Sequence, residues 1–329
     1  MAKSFLITGC AGFIGFHLTK KLLEMNQKVV GIDNINDYYD IKLKKDRLKV
    51  LKKKDKDGKF IFFKKDLLDK RSLENIFKKY KFNFVIHLAA QAGVRYSLIN
   101  PRSYIDNNLI GFFNVLNECK NRKIDHFIHA STSSVYGNTN KFPIKENFDT
   151  SSPLQLYAAT KKSNELMAYC YSHLYNMKIT GLRFFTVYGP WGRPDMALSI
   201  FTKSILSNKP IQLFNYGYHT RDFTFIDDIV SGILNLANNK LVNRKRVKEK
   251  YRVFNLGNNN PISLKNYVNL IEKNLGKKAR KLYKPLQQGD VIKTFSSTTN
   301  AKKYFNYKSK TNPSEGVKKF IIWYKSYYK

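Results

Sequence analysis

Through about residue 185, short β-favouring runs alternate with stretches whose apolar residues recur every three or four positions. The runs Phe5–Thr8, Lys28–Asp33, Lys59–Lys65, Phe84–Leu88, His126–Ser131 and Ile179–Phe184 read as strands. Helical periodicity occupies Ile14–Met25, Ser72–Lys79, Pro101–Arg122 and Leu156–Tyr175. Strands that alternate with helices predict a parallel sheet covered on both faces. Beyond Phe185 the pattern loosens into the Gly/Pro-rich "YGPWGRPDM", followed by a helix near Leu198–Ser207. "RDFTFIDDIVSGILNLA" reads as a strand end running into a helix, and "YRVFNLG" as a further strand. "SLKNYVNLIEKNLG" is a helix opened by a serine cap and closed by Gly276.

The expected fold class is therefore α/β: a Rossmann-type doubly wound parallel sheet with a smaller α/β substrate-binding domain over its carboxyl edge. The expected division is 1–185 and 186–329, with segments near 222–238 and 251–257 returning to the first domain. No internal repeat or low-complexity linker interrupts the chain.

Composition limits the class of protein. A chain of 329 residues with 43% hydrophobic content has the means to bury a large core. No apolar run reaches the roughly 18 residues needed to cross a bilayer. Lys3 followed by an apolar stretch imitates a signal peptide, but no small-residue cleavage site follows. The stretch reads as a folded first strand of a cytoplasmic protein. Cys10, Cys119 and Cys170 have neither metal-like spacing nor the number for a disulfide framework, and no metal site is expected. The formal charge of +35 raises nucleic-acid binding. The lysines are nevertheless spread along the chain, and the two denser patches, Lys42–Lys59 and Lys240–Lys250, read as a solvated basic helix and a loop. Nucleic acid is thus not the expected partner.

Chemistry begins at Gly9-x-x-Gly12-x-x-Gly15, between a strand and a helix. Without Cβ atoms, backbone N–H groups there approach a pyrophosphate while the helix N-terminus stabilises its charge. Asp33, at the end of the second strand, would accept the adenosine ribose hydroxyls and repel a 2′-phosphate, favouring NAD over NADP. Tyr157 and Lys161 are four apart on a helix and share a face. The lysine's charge is expected to favour the phenolate, making Tyr157 a general base for a hydroxyl proton. The hydroxyl-rich "HASTSSVYG" upstream offers a partner for the reacting oxygen.

With "HLAA" at His87–Ala90, these motifs in this order resemble the extended short-chain dehydrogenase/reductase family over essentially the whole chain. Longer strings narrow the likeness: "GIDNINDYYDIKLKKDRL", "AAQAGVRYSLINP", "LYAATKKSNELMA", "LRFFTVYGPWGRPDMA" and "RDFTFIDDIV" are similar to UDP-glucuronate 4-epimerases. The resemblance implies tightly held NAD on Gly9, Gly12, Phe13, Ile14 and Gly15. Asp33 and Asn34 would meet the ribose, Asp66 and Leu67 the adenine, and Leu88, Ala89 and Ala90 the cofactor's flank. It implies Tyr157 as base, Lys161 as its partner and Thr132 as the bridging hydroxyl. Arg95, Thr132, Ser133, Thr186, Arg193, Arg221 and Asp290 would contact a UDP-hexuronate. Arg221 would meet the phosphates, Asp290 the uridine ribose or the domain closure, and Arg193 with Thr186 the uronate carboxylate. His87 is expected to be structural or to line the cofactor.

Related 4,6-dehydratases place an Asp-Glu pair after the catalytic threonine, and related decarboxylases a Glu before Val-Tyr-Gly. Here Ser133 and Ser134 stand there, and neither supplies a carboxylate. The implied reaction is oxidation at C4 and reduction from the opposite face, interconverting UDP-glucuronate and UDP-galacturonate through a 4-keto intermediate. The alternatives are a 4-epimerase of UDP-glucose or UDP-N-acetylhexosamines and, more remotely, a catalytically inactive NAD-binding regulatory protein. The family also implies a homodimer through the helices at Pro101–Arg122 and Leu156–Tyr175.

Overall fold

The computed structural model describes residues 2–239 and 250–329. The basic stretch 240–249 lies outside them.

Seven parallel strands form the central sheet. In spatial order they are Tyr251–Leu256, Ile179–Phe184, His126–Thr132, Phe84–His87, Ser4–Thr8, Lys28–Asp33 and Phe60–Lys64. Alternation along each strand feeds two cores. Phe5, Ile7, Val29, Phe84, Ile86, Ile128 and Leu182 face one layer of helices. Leu6, Val30, Ile32, Val85, Phe127 and Ile179 face the other. The first layer includes Phe13–Glu24 and Ile226–Asn238, which pack on each other; the second includes Lys70–Lys79, Phe112–Lys120 and Leu156–Leu174. Ser4–Thr8 sits where the winding reverses, with Lys28–Asp33 on one side and Phe84–His87 on the other. A crevice opens beyond the carboxyl ends at such a switch point.

The region after Phe185 is more ordered than its loose pattern implies. Thr186–Tyr188 pairs in parallel with Phe223–Phe225, and Ile211–Leu213 with Lys281–Tyr283. Thr220–Arg221 pairs antiparallel with Ile262–Ser263. The helix Leu264–Leu275 begins at Ser263, whose hydroxyl accepts the Asn266 N–H at 3.2 Å, and ends at Gly276 with φ +68°.

The periodicity of Pro101–Arg122 predicts one helix, but the chain makes three pieces. α-Helical Pro101–Tyr104 and Phe112–Lys120 flank a π-helical Ile105–Gly111. The wider turn accompanies the buried Asn108. Its side chain accepts the Gln91 N–H at 2.8 Å and donates to Gln91 O at 3.1 Å and Thr160 Oγ1 at 3.1 Å. The Asn164 amide donates to Asn108 O at 2.6 Å. Of these bonds, the one from Asn164 satisfies a backbone carbonyl of the irregular turn itself.

The basic patch is a helix, Ile41–Lys54, but it is not wholly solvated. Lys42, Lys45, Lys49 and Lys52–Lys54 are exposed, whereas Lys44 and Arg47 point inward and are buried.

Candidate active site

The crevice at the switch point is a cavity whose lining runs from the glycine turn to Tyr157 and Lys161 on the helix Leu156–Leu174. At one end Gly12 N donates to Gly9 O at 3.0 Å, closing the turn. Gly9 has φ +73°, and a Cβ on it would come within 2.8 Å of Ala89 N; one on Gly15 would collide with the Gly9 carbonyl. Only glycine permits this closeness. The turn thus opens the helix Phe13–Glu24 with bare backbone beside the cavity, a cradle that fits a dinucleotide pyrophosphate.

Asp33 ends its strand with its oxygens accepting Ala11 N–H at 3.0 Å and Ile35 N–H at 2.9 Å. Burial pushes its carboxyl up; the Ile35 and Ala11 amides and the charges of Lys44 and Arg47 oppose that. Asn34 donates to Asp66 at 2.8 Å, which binds this loop to the next strand's end. Asn34, Leu67, Leu88, Ala89 and Ala90 line the cavity with Phe13 and Ile14; Asp66 stands behind Asn34.

At the other end, Tyr157 and Lys161 project from Leu156–Leu174 toward Thr132, the last residue of its strand. Thr132 Oγ1 donates to Ser134 Oγ at 3.1 Å and accepts the Ser134 N–H at 3.1 Å. The Thr132 hydroxyl lines the same cavity as the Tyr157 phenol and is one of the groups that lower it. The expected depression of the Tyr157 pKa is not what this geometry gives. Burial pushes it up, and the forces that lower it come from Thr132 and Arg193. Lys161 is itself lowered to about 8 by burial, with Glu165 opposing. Desolvation penalises the phenolate and the ammonium alike.

Glu165, one turn beyond Lys161, accepts Arg183 Nε and Nη2 at 2.8 Å each and Ser131 Oγ at 2.6 Å. This buried bidentate pair, with the Ser131 bond, fixes the helix Leu156–Leu174 to two strand ends, including the one that carries Thr132.

Ser133, Ser134, Thr186 and Arg193 line the same cavity. Arg193 is not open-handed: Nε donates to Asp195 Oδ1 at 3.0 Å, Nη2 contacts Asp195 Oδ2, and Tyr38 donates to the same carboxylate at 3.0 Å. Arg95, Arg221 and Asp290 gather apart from this lining. Arg95 pairs with Asp290 at 3.0 Å, and Arg221 donates to the carbonyls of Thr220 at 3.2 Å and Ile292 at 2.8 Å. Burial lowers Arg221 to about 10, so it remains cationic near neutrality.

His87 is not in the lining. It is buried, meets Thr8 Oγ1 at 3.0 Å, and is held neutral by burial and by Lys161. Cys10 and Cys119 are buried, with burial pushing both thiols up; Cys170 is exposed. Among the described residues no cluster of His, Cys, Asp or Glu is placed to hold a metal, and no helix is long and apolar enough to cross a membrane.

Tyr38, Lys44, Gln91, Gly93, Asn107 and Met196 also reach the cavity, with no role foreseen for them. All but Asn107 lie within the family-like strings, which were the signal that could have found them.

A family model described as GDP-mannose 4,6 dehydratase matches residues 6–320. The chain is 49% identical to Protein CapI of Staphylococcus aureus, covering 98% of this chain and 99% of that protein. It is 45% identical to UDP-glucuronate 4-epimerase 2 of Arabidopsis thaliana, over 99% of this chain and 76% of that one. Among solved structures, UDP-glucuronic acid 4-epimerase of Bacillus cereus, in complex with UDP-glucuronic acid and NAD, superposes with a TM-score of 0.91. The identity is 33%, over 99% of this chain and 100% of that chain. Glycine cradle, Thr132–Tyr157–Lys161 site and these likenesses together make the chain a member of the NAD-dependent epimerase/dehydratase family that the GDP-mannose 4,6 dehydratase model describes.

Proposed function

We propose that the protein is a nucleotide-sugar 4-epimerase that interconverts UDP-glucuronate and UDP-galacturonate with NAD held in the cradle. The observation that carries this reading is the union, in one cavity, of a dinucleotide cradle and a Thr132–Tyr157 hydroxyl pair, with serines where a dehydratase or decarboxylase needs carboxylates.

Gly9, Gly12 and Gly15 would hold the pyrophosphate, Asp33 the adenosine ribose, and Leu88–Ala90 the flank of the dinucleotide. When bound, the nicotinamide supplies a hydride acceptor that returns the hydride within the same turnover. Tyr157 takes the C4 hydroxyl proton, with Thr132 sharing the oxygen's hydrogen bond and Lys161 supplying positive charge one helical turn away. The buried phenol is reluctant to ionise alone, so bound positive charge must assist it. The sugar then presents its other face, and Tyr157 returns the proton. A 4-keto uronate is a β-keto acid. Ser133, Thr186 and Arg193 would grip its carboxylate and oppose loss of CO₂. Arg221, Arg95 and Asp290 would receive the UDP half, with the Arg95–Asp290 pair joining the smaller domain to the sheet domain, to which 222–238 and 251–257 also belong.

A neutral UDP-hexose is the second reading. It is favoured by Asp195, which already answers the charge of Arg193. UDP-glucose 4-epimerase of Thermotoga maritima, in complex with UDP-glucose, also superposes with a TM-score of 0.87 at 27% identity. Incubation of the purified protein with UDP-glucuronate and no added NAD, followed by product identification, tests substrate, reaction and retained cofactor together. UDP-galacturonate is the expected product; turnover of UDP-glucose alone would select the second reading.

The helix faces at Tyr96–Ile99, Ile105–Lys120 and Leu156–Leu174 expose Leu98, Ile99, Ile110, Phe113, Leu166, Tyr169 and Leu174. So much apolar side chain on neighbouring helices supports a homodimer that joins these faces in a four-helix bundle. The buried free cysteines suit the reducing cytoplasm.

A further inference from the structure

Arg47 is fully buried, yet no carboxylate lies within ion-pair distance of it among the described residues. Its guanidinium is satisfied by oxygens from three segments. Nη1 donates to Ala11 O at 2.8 Å, inside the glycine turn, and to Tyr39 Oη at 2.7 Å, in the loop after Asp33. Nη2 donates to Trp191 O at 2.6 Å, in the loop that carries Arg193. Nε has no partner. Asp33 is the carboxylate that feels its charge, but from beyond ion-pair distance; a buried cation whose direct partners are all neutral dipoles is costly unless nearby charge compensates it.

Two further links join the same parts. His17, on the helix that the glycine turn opens, meets Pro190 O at 2.8 Å; burial lowers it to about 3, so the ring is neutral and donates. Tyr38 donates to Asp195 at 3.0 Å. Between these ties Trp191 holds φ +60°, a left-handed conformation that costs a bulky residue on the order of 1–3 kcal/mol and persists only where surroundings enforce it. The loop 189–196 is therefore pinned, on the cradle side, by three residues of the cradle's own elements.

We propose that Arg47 is a positioning residue that couples the cofactor cradle to the Arg193 loop: the pyrophosphate completes the charge balance around its guanidinium, and Arg47 in turn holds the loop closed so that the dinucleotide is retained through turnover. Filling the cradle orders the substrate grip before any sugar arrives. This rests on the reading that the cradle takes NAD, but not on which sugar is turned over.

The test is made on the full-length protein, loaded with NAD and stripped of it, without nucleotide sugar. Hydrogen exchange on wild type should slow at 189–196 as well as at 9–15 when NAD is present. In Arg47→Lys, whose ammonium cannot span three acceptors, protection at 9–15 should remain while that at 189–196 is lost. NAD should then leave the loaded variant at least fivefold faster than wild type, read by trapping released cofactor. Unchanged exchange at 189–196 in wild type overturns the proposal whether or not the variant folds. A folded variant that keeps the protection, or releases NAD less than fivefold faster, overturns it too. Protein that passes these tests but leaves UDP-glucuronate unchanged refutes the UDP-glucuronate reading and leaves the coupling standing.

Discussion

Arg193 and Asp195, two residues apart in one loop, form a bidentate ion pair at the cavity wall, with Arg193 Nε and Asp195 Oδ1 at 3.0 Å. The pair draws the Asp195 carboxyl below the ordinary carboxylate range and pushes Arg193 up. A uronate carboxylate must therefore share or displace a counter-ion that a neutral hexose leaves alone. Arg193→Ala should lower the kcat/KM ratio of UDP-glucuronate to UDP-glucose by roughly 10- to 100-fold, since a charge-assisted hydrogen bond contributes about 1.5–3 kcal/mol. Asp195→Asn should raise that ratio. Steady-state kinetics on both sugars check the pair, and a ratio indifferent to both substitutions removes Arg193 from uronate recognition.

Removing the phenol tests the proton path. Tyr157→Phe should lose about 10²- to 10⁴-fold in kcat while circular dichroism and melting temperature stay near wild type. The phenol reaches the cavity and is no fold-wide tie, so near wild-type turnover would exclude it as the base.

Acid should destabilise the fold before ordinary carboxyls titrate. His17 and His129 are lowered to about 3, and His87 and His126 well below their ordinary value, all chiefly by burial. With folded values below the unfolded 6.5, the unfolded chain binds more protons in between. The stability they contribute is complete above pH 6.5 and is lost as pH falls toward the folded values. Each group adds a slope of up to about 1.4 kcal/mol per pH unit in that window. Melting temperature should drop between pH 6.5 and 5.5; a flat profile there would mean that these rings take up protons inside the fold.

The proposed dimer face has its own test. Ile99 is 77% exposed and Leu166 56% exposed. Ile99→Glu with Leu166→Glu should shift sedimentation from dimer to monomer with the fold retained, because neither side chain is in the core. An unchanged sedimentation coefficient would move the interface elsewhere.

Much of this was legible in the chain. The glycine turn is local chemistry: Gly9 takes a φ of +73° and Gly15 packs against the Gly9 carbonyl within one strand–turn–helix unit. Tyr157 and Lys161 share a face because both lie in one α-helix. The break at Ile105–Gly111 was not legible, because its periodicity is that of an ordinary helix. What marks it is the seat of Asn108 against Gln91 and Thr160, segments far away in sequence. The basic run 42–59 misled for a related reason. Lysine and arginine look alike in a charge count, yet Arg47 turns inward to the carbonyls of Ala11 and Trp191.

The sequence by itself determined what depends on neighbours in the chain: the alternation of strands and helices, the backbone cradle, the Tyr157–Lys161 spacing and the serines that replace carboxylates at 133 and 134. The tertiary structure alone decided what depends on burial and on distant partners. It raised Tyr157 instead of lowering it, paired Arg193 with Asp195, set Arg95 against Asp290 across about two hundred residues, and gave Arg47 three neutral acceptors with no carboxylate at ion-pair distance among the described residues. Dihedral preference and side-chain spacing act over a few residues, whereas desolvation and charge pairing are set by whatever the fold brings within a few ångströms.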